Sequence, residues 1–203
     1  MNDHTRLTAA ALFWTALMMA PAKCAESTDT VTELRQKKPY VAVDKSDGML
    51  HWVREDSTES YRVGTGQRDG EKQRHGDKKT PEGEYHVCAK YPSDKYRYFL
   101  ALDYPNKEDA ERGIRNGLIN KAEYDDIIGA LANGRCPPWN TRLGGAIGIH
   151  GELEWKIDKD HRIRIGPLSY LLDLTLGCIA TTDENAGELY RKIPVGTRVI
   201  IQP

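Results

Sequence analysis

Residues 148–182 read GIHGELEWKIDKDHRIRIGPLSYLLDLTLGCIATT, and this stretch indicates both the fold and the chemistry of the chain. Its apolar start predicts a buried strand that ends at His150 and is followed at once by Gly151. Further on, a turn of small residues presents Gly177 and Cys178. A cysteine becomes a reactive thiolate when a base lies beside it, and a histidine at a strand end can supply that base. The stretch therefore predicts a Cys178–His150 pair.

The neighbours of this pair indicate how it would work. Gly151 lets the backbone come close, and its carbonyl could orient the imidazole of His150 in place of an aspartate. Gly177 keeps the approach to the sulfur open, and the backbone amides around Cys178 would face a developing oxyanion. On residue types alone, a buried thiol and a core histidine are the commoner outcome, so the pair needs support from the rest of the chain.

Several further segments give that support by resemblance. The pair His150-Gly151 is followed after a gap by Thr175-Leu176-Gly177-Cys178, which resembles the His-Gly and Ser/Thr-x-Gly-Cys signature of the L,D-transpeptidase catalytic domain, or YkuD, family. Three other runs resemble elements of the same family: GDKKTPEG at 76–83, DYPN at 103–106 and IPVGTRV at 193–199. The run GCIATT at 177–182 resembles a proteobacterial branch with a G-C-I-A motif.

The resemblance covers residues 39–203 and implies a fold and a reaction. The implied fold is mainly β, a β-sandwich or open barrel of the YkuD type with a few helices. The implied reaction is attack by Cys178 on a peptidoglycan tetrapeptide stem, at the carbonyl that joins the L-centre of a diamino acid to a D-residue. His150 would protonate the leaving group, and an amine of a second stem would then resolve the acyl-enzyme into a cross-link. Gly151, Gly177 and Thr175 would support the site, and no metal or organic cofactor is implied.

Two positions depart from the family pattern. Leu176 stands where many members have a second histidine, and Ala180 stands where many have Arg or Asn. The acyl acceptor is therefore open: with water the chain would be an L,D-carboxypeptidase, and with a lipoprotein lysine a peptidoglycan–lipoprotein amidase. A non-catalytic wall-binding protein on the same scaffold and a disulfide-stabilised secreted binding module are the alternatives from other classes.

Short runs with strand periodicity surround the catalytic stretch. Strands are predicted at 40–43, 49–53, 61–63, 84–89, 96–102, 144–150 and 197–202. A hairpin turn is predicted at Asp47-Gly48, and an exposed loop over the charged residues 67–79. Helices are predicted at 108–114, at 121–131, and from Thr181 or Thr182 to about Lys192. No βαβ repeat is visible, which favours a sandwich or an open barrel.

Composition and the first residues bear on the location of the protein. The formal net charge of −1 and the pI of about 6.6 leave no basic surface for nucleic acid. The uncharged run at 7–20, which ends in Ala20-Pro21-Ala22, predicts a signal peptide over 1–22, followed by a linker at 23–38. Lys23 argues against a lipoprotein site at Cys24. We therefore expect an exported, periplasmic monomer that binds peptidoglycan stem peptides, with a wall-linked lipoprotein as a further candidate partner.

The four cysteines of the chain are Cys24, Cys88, Cys136 and Cys178. Export would place them in an oxidising compartment, and their wide spacing argues against a zinc cluster. A disulfide between Cys88 and Cys136 would pin the helical segment to the preceding strand. Two unpaired thiols are the alternative, and the sequence leaves both open.

Other residues near the catalytic stretch have weaker signals. His161 lies in a charged loop and is expected to be solvated rather than catalytic. Trp139, Trp155 and Tyr170 could line a glycan or peptide groove, although core packing is the commoner role of such aromatic residues.

Overall fold

The computed structural model describes residues 38–93, 97–152, 154–156, 162–164 and 172–203. The predicted signal peptide, the linker as far as residue 37, and Cys24, His161 and Tyr170 lie outside the described residues, as does the side chain of Trp155. Predictions about them stay predictions. No helix in the described part of the chain is long and apolar enough to cross a membrane.

The described residues form ten strands. These are β1 (Tyr40–Asp44), β2 (Met49–Val53), β3 (Thr58–Arg62), β4 (Gly83–Ser93), β5 (Arg97–Leu102), β6 (Gly148–His150), β7 (Glu154–Lys156), β8 (Arg162–Arg164), β9 (Ile179–Ala180) and β10 (Arg198–Gln202). Eight of them form one sheet in the order β3-β2-β1-β10-β4-β5-β6-β9, while β7 pairs with β8. The sheet curls into a half-barrel, so the prediction of a mainly β, open-barrel type of domain with a few helices is confirmed.

The first hairpin shows how alternating side chains create this sheet. In β1 and β2 every second residue is buried, so that Val41 and Val43 face the core together with Leu50 and Trp52. Strands of this kind bury one face and leave the other to solvent. The connecting turn ends at Gly48, whose φ of +63° is costly for a residue with a Cβ. The predicted hairpin is confirmed.

Three helices complete the described structure, and each begins at a capping side chain. They are α1 (Lys107–Arg115), α2 (Lys121–Ala132) and α3 (Asp183–Lys192). Asn106 and Asn120 each form a reciprocal capping box with the third helical residue. Thr182, rather than Thr181, caps α3 through its side-chain oxygen. The three predicted helices are confirmed.

The main core covers one face of the strands that carry the predicted site. Ile149 of β6, Ile179 of β9 and Leu189 of α3 are all fully buried and belong to the same cluster. Since side chains alternate along a strand, His150 and Ala180 point to the opposite face. The core therefore leaves that second face of β6 and β9 for the site.

A disulfide joins Cys88 to Cys136, with 5.2 Å between the two Cα atoms. Cys88 is the extra residue of a bulge in β4, because the register with β5 shifts between Val87 and Ala89. Bulges bend a strand locally. The disulfide ties this bend to the segment after α2. Of the two alternatives that the sequence left open, a disulfide or two unpaired thiols, the structure has the disulfide.

Two predictions about segments next to the site are corrected. The strand predicted at 144–150 is shorter and begins at Gly148, because Gly144 and Ala146 adopt φ values of +87° and +54° that interrupt extended backbone. The loop at 67–79 is not simply exposed. Lys72 and Asp77 are 3% and 9% exposed and form an ion pair of 2.7 Å, so these two charges satisfy each other inside the protein.

Candidate active site

Strand β6 ends at His150, whose side chain is only 1% exposed. Its Nδ1 lies 2.6 Å from the carbonyl oxygen of Gly151. A carbonyl oxygen can only accept a hydrogen bond, so Nδ1 carries the proton and donates it. The lone pair of the neutral ring is then on Nε2, which is the atom able to take a proton from a nucleophile.

Cys178 lies directly before β9 and is partly exposed. Its Sγ donates to the carbonyl oxygen of Ala146 at 3.3 Å. Ala146 is one of the few residues other than glycine with a positive φ in the described structure. Backbone strain of this kind costs on the order of 1–3 kcal/mol and persists where surrounding contacts enforce it. A strained carbonyl thus orients the thiol.

The pairing of β6 with β9 brings the histidine and the cysteine to one face. The two strands are parallel, with His150 opposite Ala180, and the amide of Thr181 donates to the carbonyl of His150 at 3.0 Å. Cys178 precedes Ala180 by two positions, so the alternation of side chains puts it on the same face. Diagonal neighbours of this kind have Cα atoms roughly 8 Å apart, a gap that a thiol and an imidazole can bridge.

The turn before Cys178 is organised by Thr175, which is buried. Its hydroxyl lies 2.7 Å from the carbonyl oxygen of Cys178 and 2.9 Å from that of Thr65, and donates to one of them at a time. The same oxygen accepts the amide of Gly177 at 3.1 Å. Thr175 therefore holds both ends of the turn, and the Gly177 amide is engaged inside it, which favours a supporting role for that glycine.

Gly177 allows the neighbouring loop to press against this turn. Its φ is +131°, and a Cβ at this position would lie 2.6 Å from the carbonyl oxygen of Lys79. Gly66 shows the same tightness, since a Cβ there would lie 2.4 Å from the carbonyl oxygen of Lys78. The backbone of residues 78–79 is thus wedged between two glycines, one of which directly precedes Cys178.

Asp77 organises the wedged loop from inside. Its carboxylate accepts hydrogen bonds from the ammonium of Lys72 and from the amides of Gln73, Arg74 and Lys79, at 2.7 to 3.2 Å. Burial would raise the pKa of the Asp77 carboxyl, but the bonds from Lys72, Arg74 and Gln73 outweigh it and hold the pKa below its usual value. A charged Asp77 therefore fixes the loop that backs the turn.

Aromatic side chains cover the face that carries His150. Tyr91 of β4 lies opposite Phe99 of β5, which lies opposite His150 of β6. The rings of Tyr91 and Phe99 stack at 5.4 Å, and those of Phe99 and His150 at 6.1 Å. Trp139 packs against both Tyr91 and Phe99 and remains 39% exposed. Aromatic surface thus surrounds the imidazole and continues to solvent at Trp139.

The structure brings all five residues of the predicted site to the β6–β9 edge of the sheet. His150, Gly151, Thr175, Gly177 and Cys178 lie there, and the expected contact between the imidazole and the Gly151 carbonyl is observed. Their catalytic roles stay predictions.

Sequence reasoning missed two other contributors to the site. Asp77 lies in the run GDKKTPEG, which resembles a family element, and nothing in the sequence pairs it with Lys72. Tyr91 gave no signal, because its place beside Phe99 depends on the register across strands.

Three comparisons with known proteins bear on the fold and the family of the chain. No match is found among curated protein sequences. Among solved structures, the helical cell shape determining protein Pgp2 from Campylobacter jejuni superposes with a TM-score of 0.51 at 21% identity, covering 81% of this chain and 47% of that chain. An L,D-transpeptidase from Xylanimonas cellulosilytica superposes with a TM-score of 0.43 at 14% identity, covering 82% of this chain and 61% of that chain. An L,D-transpeptidase from Mycobacterium tuberculosis superposes with a TM-score of 0.45 at 13% identity, covering 81% of this chain and 57% of that chain.

These likenesses concern the fold, and the chain spans about half the length of the Pgp2 structure that it matches. The family assignment rests on a separate match, to a family profile. The profile of the L,D-transpeptidase catalytic domain, YkuD, matches residues 38–201, which is most of the chain and includes every element of the site. The chain therefore belongs to the YkuD family of L,D-transpeptidase catalytic domains.

Proposed function

We propose that this protein is an exported peptidoglycan L,D-transpeptidase that acts on tetrapeptide stems through an acyl-enzyme on Cys178. One observation carries the proposal: His150, with Nδ1 bound to the Gly151 carbonyl, ends a strand that pairs with the strand directly after Cys178. Family membership supports the class of reaction, and this geometry supports Cys178 as its nucleophile and His150 as its base.

In the first half-reaction Nε2 of His150 takes the thiol proton, and the sulfur attacks the stem carbonyl at the L-centre of the diamino acid. The S–C bond forms while an electron pair moves onto the carbonyl oxygen. When this intermediate collapses, the C–N bond to the terminal D-residue breaks and His150 returns the proton to the leaving amine. A thioester on Cys178 remains.

In the second half-reaction the amine of another stem attacks the thioester. His150 removes a proton from that amine, the C–S bond breaks, and the thiol regains a proton. Attack by water instead leaves a tripeptide stem, which is L,D-carboxypeptidase action. Neither half-reaction requires a metal or an organic cofactor, because positioning and proton transfer by the protein's own groups supply the catalysis.

Export is supported by two independent features. The run at 7–20 with Ala20-Pro21-Ala22 has the pattern of a signal peptide. The bond between Cys88 and Cys136 is a structural disulfide, which is typical of proteins in oxidising compartments such as the periplasm. Peptidoglycan stems are found in that compartment. We propose that the protein acts there as a monomer, with a wall-linked lipoprotein as a candidate second partner.

The proposal is tested by incubating the purified protein and a Cys178→Ser control with tetrapeptide muropeptides, followed by mass spectrometry. We expect cross-linked dimers that have lost one terminal D-residue, and a transient mass increase on the wild-type protein alone. Tripeptide products without dimers would assign an L,D-carboxypeptidase. In a parallel incubation with sacculi that carry a wall-linked lipoprotein, release of a peptide joined through the lipoprotein lysine would assign an amidase. Binding to sacculi without adduct or product would refute the enzyme and assign a non-catalytic wall-binding protein.

A further inference from the structure

Tyr91 has a buried hydroxyl for which no hydrogen-bond partner is found in the part of the chain that the structure describes. Buried polar atoms in native proteins nearly always have a partner, and an exception calls for an explanation. A hydroxyl that waits for a ligand is one such explanation, and the position of Tyr91 in the sheet supports it.

Two aromatic neighbours restrain the ring of Tyr91 on the face of the sheet that carries the site. It lies in one row across the sheet with Phe99 and His150, and it stacks on Phe99 with 24° between the ring planes. Trp139 packs against the ring at 6.4 Å. Since strand pairing fixes the backbone and these contacts fix the ring, the hydroxyl has a defined position on the face that carries His150.

A second set of contacts places this aromatic group beside the nucleophile. Trp139 lies directly on Gly145, where a Cβ would come within 2.7 Å of Cδ1 of the indole. The next residue, Ala146, gives the carbonyl that Sγ of Cys178 contacts at 3.3 Å. Trp139 therefore spans the short distance between the Tyr91 ring and the backbone that touches the thiol.

The ionisation of Tyr91 agrees with that placement. Burial raises the pKa of its hydroxyl, and the negative charge of Cys178 raises it further. With a raised pKa the phenol keeps its proton at neutral pH and can act as a hydrogen-bond donor in the site.

We propose that the hydroxyl of Tyr91 binds the substrate, by donating a hydrogen bond to the carbonyl oxygen that Cys178 attacks. This inference rests on the proposed function. As the S–C bond forms, an electron pair moves onto that oxygen, which accepts the phenolic hydrogen bond while the proton stays on Tyr91. When the C=O bond re-forms, the leaving group departs and the hydrogen bond weakens. A hydrogen bond that strengthens as charge develops on the oxygen stabilises the transition state more than the ground state.

The substitution Tyr91→Phe tests this role because it removes the hydroxyl and keeps the stacked ring. We expect acylation of Cys178 to slow by about 100-fold or more, the usual loss for one oxyanion donor. The matched control is Tyr98→Phe, since Tyr98 lies next to Phe99 but packs on Tyr190 of α3. Acylation is followed by intact mass with two donors, a tetrapeptide muropeptide and p-nitrophenyl acetate. The pH dependence of Cys178 alkylation by iodoacetamide is measured in parallel.

The two acylating substrates separate failure of this inference from failure of the proposed function. If Tyr91→Phe is acylated more slowly by every substrate that the wild type accepts, and its alkylation profile is unchanged, the Tyr91 hydroxyl donates a hydrogen bond to the substrate. Unchanged acylation in Tyr91→Phe overturns the inference. A shifted alkylation midpoint also overturns it, because the hydroxyl then serves the thiol. A wild type that reacts with the ester and not with the muropeptide refutes the proposed function alone, and one that reacts with neither refutes both.

Discussion

The two ends of the eight-stranded sheet are built differently. At the β3-β2-β1 end, strands of five residues pair in regular antiparallel register. At the β6-β9 end the strands have three and two residues, and distant segments hold the backbone. Thr175 exchanges backbone hydrogen bonds with Thr65 and Gln67, and the carboxylate of Asp173 accepts the amide of Thr65 at 2.6 Å.

This difference teaches where stability and chemistry reside in the molecule. The alternation of buried and exposed side chains sets the register of regular pairing, so the β3-β2-β1 end depends on its apolar pattern and packing more than on particular polar residues. The β6-β9 end requires particular residues, because several of its contacts join segments far apart in the chain. We therefore expect substitutions at the first end to change the free energy of unfolding and those at the second to change activity.

The largest effect is expected for Cys178→Ser. A serine hydroxyl is a far weaker nucleophile than a thiolate paired with histidine, so turnover of tetrapeptide muropeptides should fall to background. The thermal unfolding midpoint should stay close to that of the wild type, because the side chain is partly exposed and keeps its size. A variant that retains most of its turnover would show that the nucleophile lies elsewhere.

His150→Ala should reduce turnover by roughly 100-fold or more, the usual contribution of a general base. Leu176 stands where many family members have a second histidine, so we expect no nearby imidazole to replace that of His150. His161→Ala should have little effect. Leu50→Ala at the other end of the sheet is the contrasting variant. It should cost about 2–5 kcal/mol of stability and leave the turnover of the folded fraction unchanged. Equal losses from His150→Ala and His161→Ala would contradict the assignment.

The same contrast explains how far the sequence could predict the fold. Alternation of apolar residues in YVAVD and MLHWV, with Asp47-Gly48 between them, predicts the first hairpin without any knowledge of the rest. The capping asparagines and Thr182 likewise give the helix starts, because caps are local interactions. What could not be predicted is the order of the strands, such as β10 lying between β1 and β4, since it depends on non-local pairing.

The candidate site was predictable only where residue types carry a signature. His150-Gly151 and Gly177-Cys178 are recognisable from their order in the chain, although 27 residues separate His150 from Cys178. The start of the strand at Gly148 could not be predicted, because nothing in the side chain of Ala146 indicates its positive φ. The burial of Lys72 could not be predicted, because its ion pair with Asp77 depends on how the loop folds.

Asp77→Asn tests how the wedged loop supports the β6-β9 end. Lys72 would keep its buried charge without the matching carboxylate, which typically costs about 3–5 kcal/mol. The loss should depend on pH. The pKa of Asp77 is lowered in the folded state, so its stabilisation is complete above the unfolded value of about 3.9 and disappears as the pH falls through the folded value. The difference between variant and wild type, measured by urea unfolding, should therefore shrink below about pH 4.

Glu123→Gln serves as the control for this pH series. The guanidinium of Arg142 lowers the pKa of Glu123 to about 2, but this pair lies at the surface. Its loss should cost about 1 kcal/mol or less. A cost for Asp77→Asn that is as small as this, or that does not vary with pH, would mean that the buried pair does not hold the loop.

A small effect on stability is expected for two glycines with similar backbone and different surroundings. Gly177→Ala and Gly196→Ala both place a Cβ on a residue with positive φ, at +131° and +87°, and each should cost about 1–3 kcal/mol. At Gly196 nothing lies within 4 Å of the new Cβ, so turnover should be unchanged. At Gly177 the Cβ would meet the carbonyl oxygen of Lys79 at 2.6 Å, which forces the wedged loop or the turn to move.

Because Cys178 is the next residue, any such shift moves the thiol relative to His150, and misplacement of about 1 Å can cost 100-fold in rate. Turnover per folded molecule, with folded fractions taken from circular dichroism, separates this loss from simple unfolding. If Gly177→Ala and Gly196→Ala lose stability alike and both keep full turnover, the turn before Cys178 does not position the nucleophile. A loss of turnover confined to Gly177→Ala is the result that the close approach of Lys79 predicts.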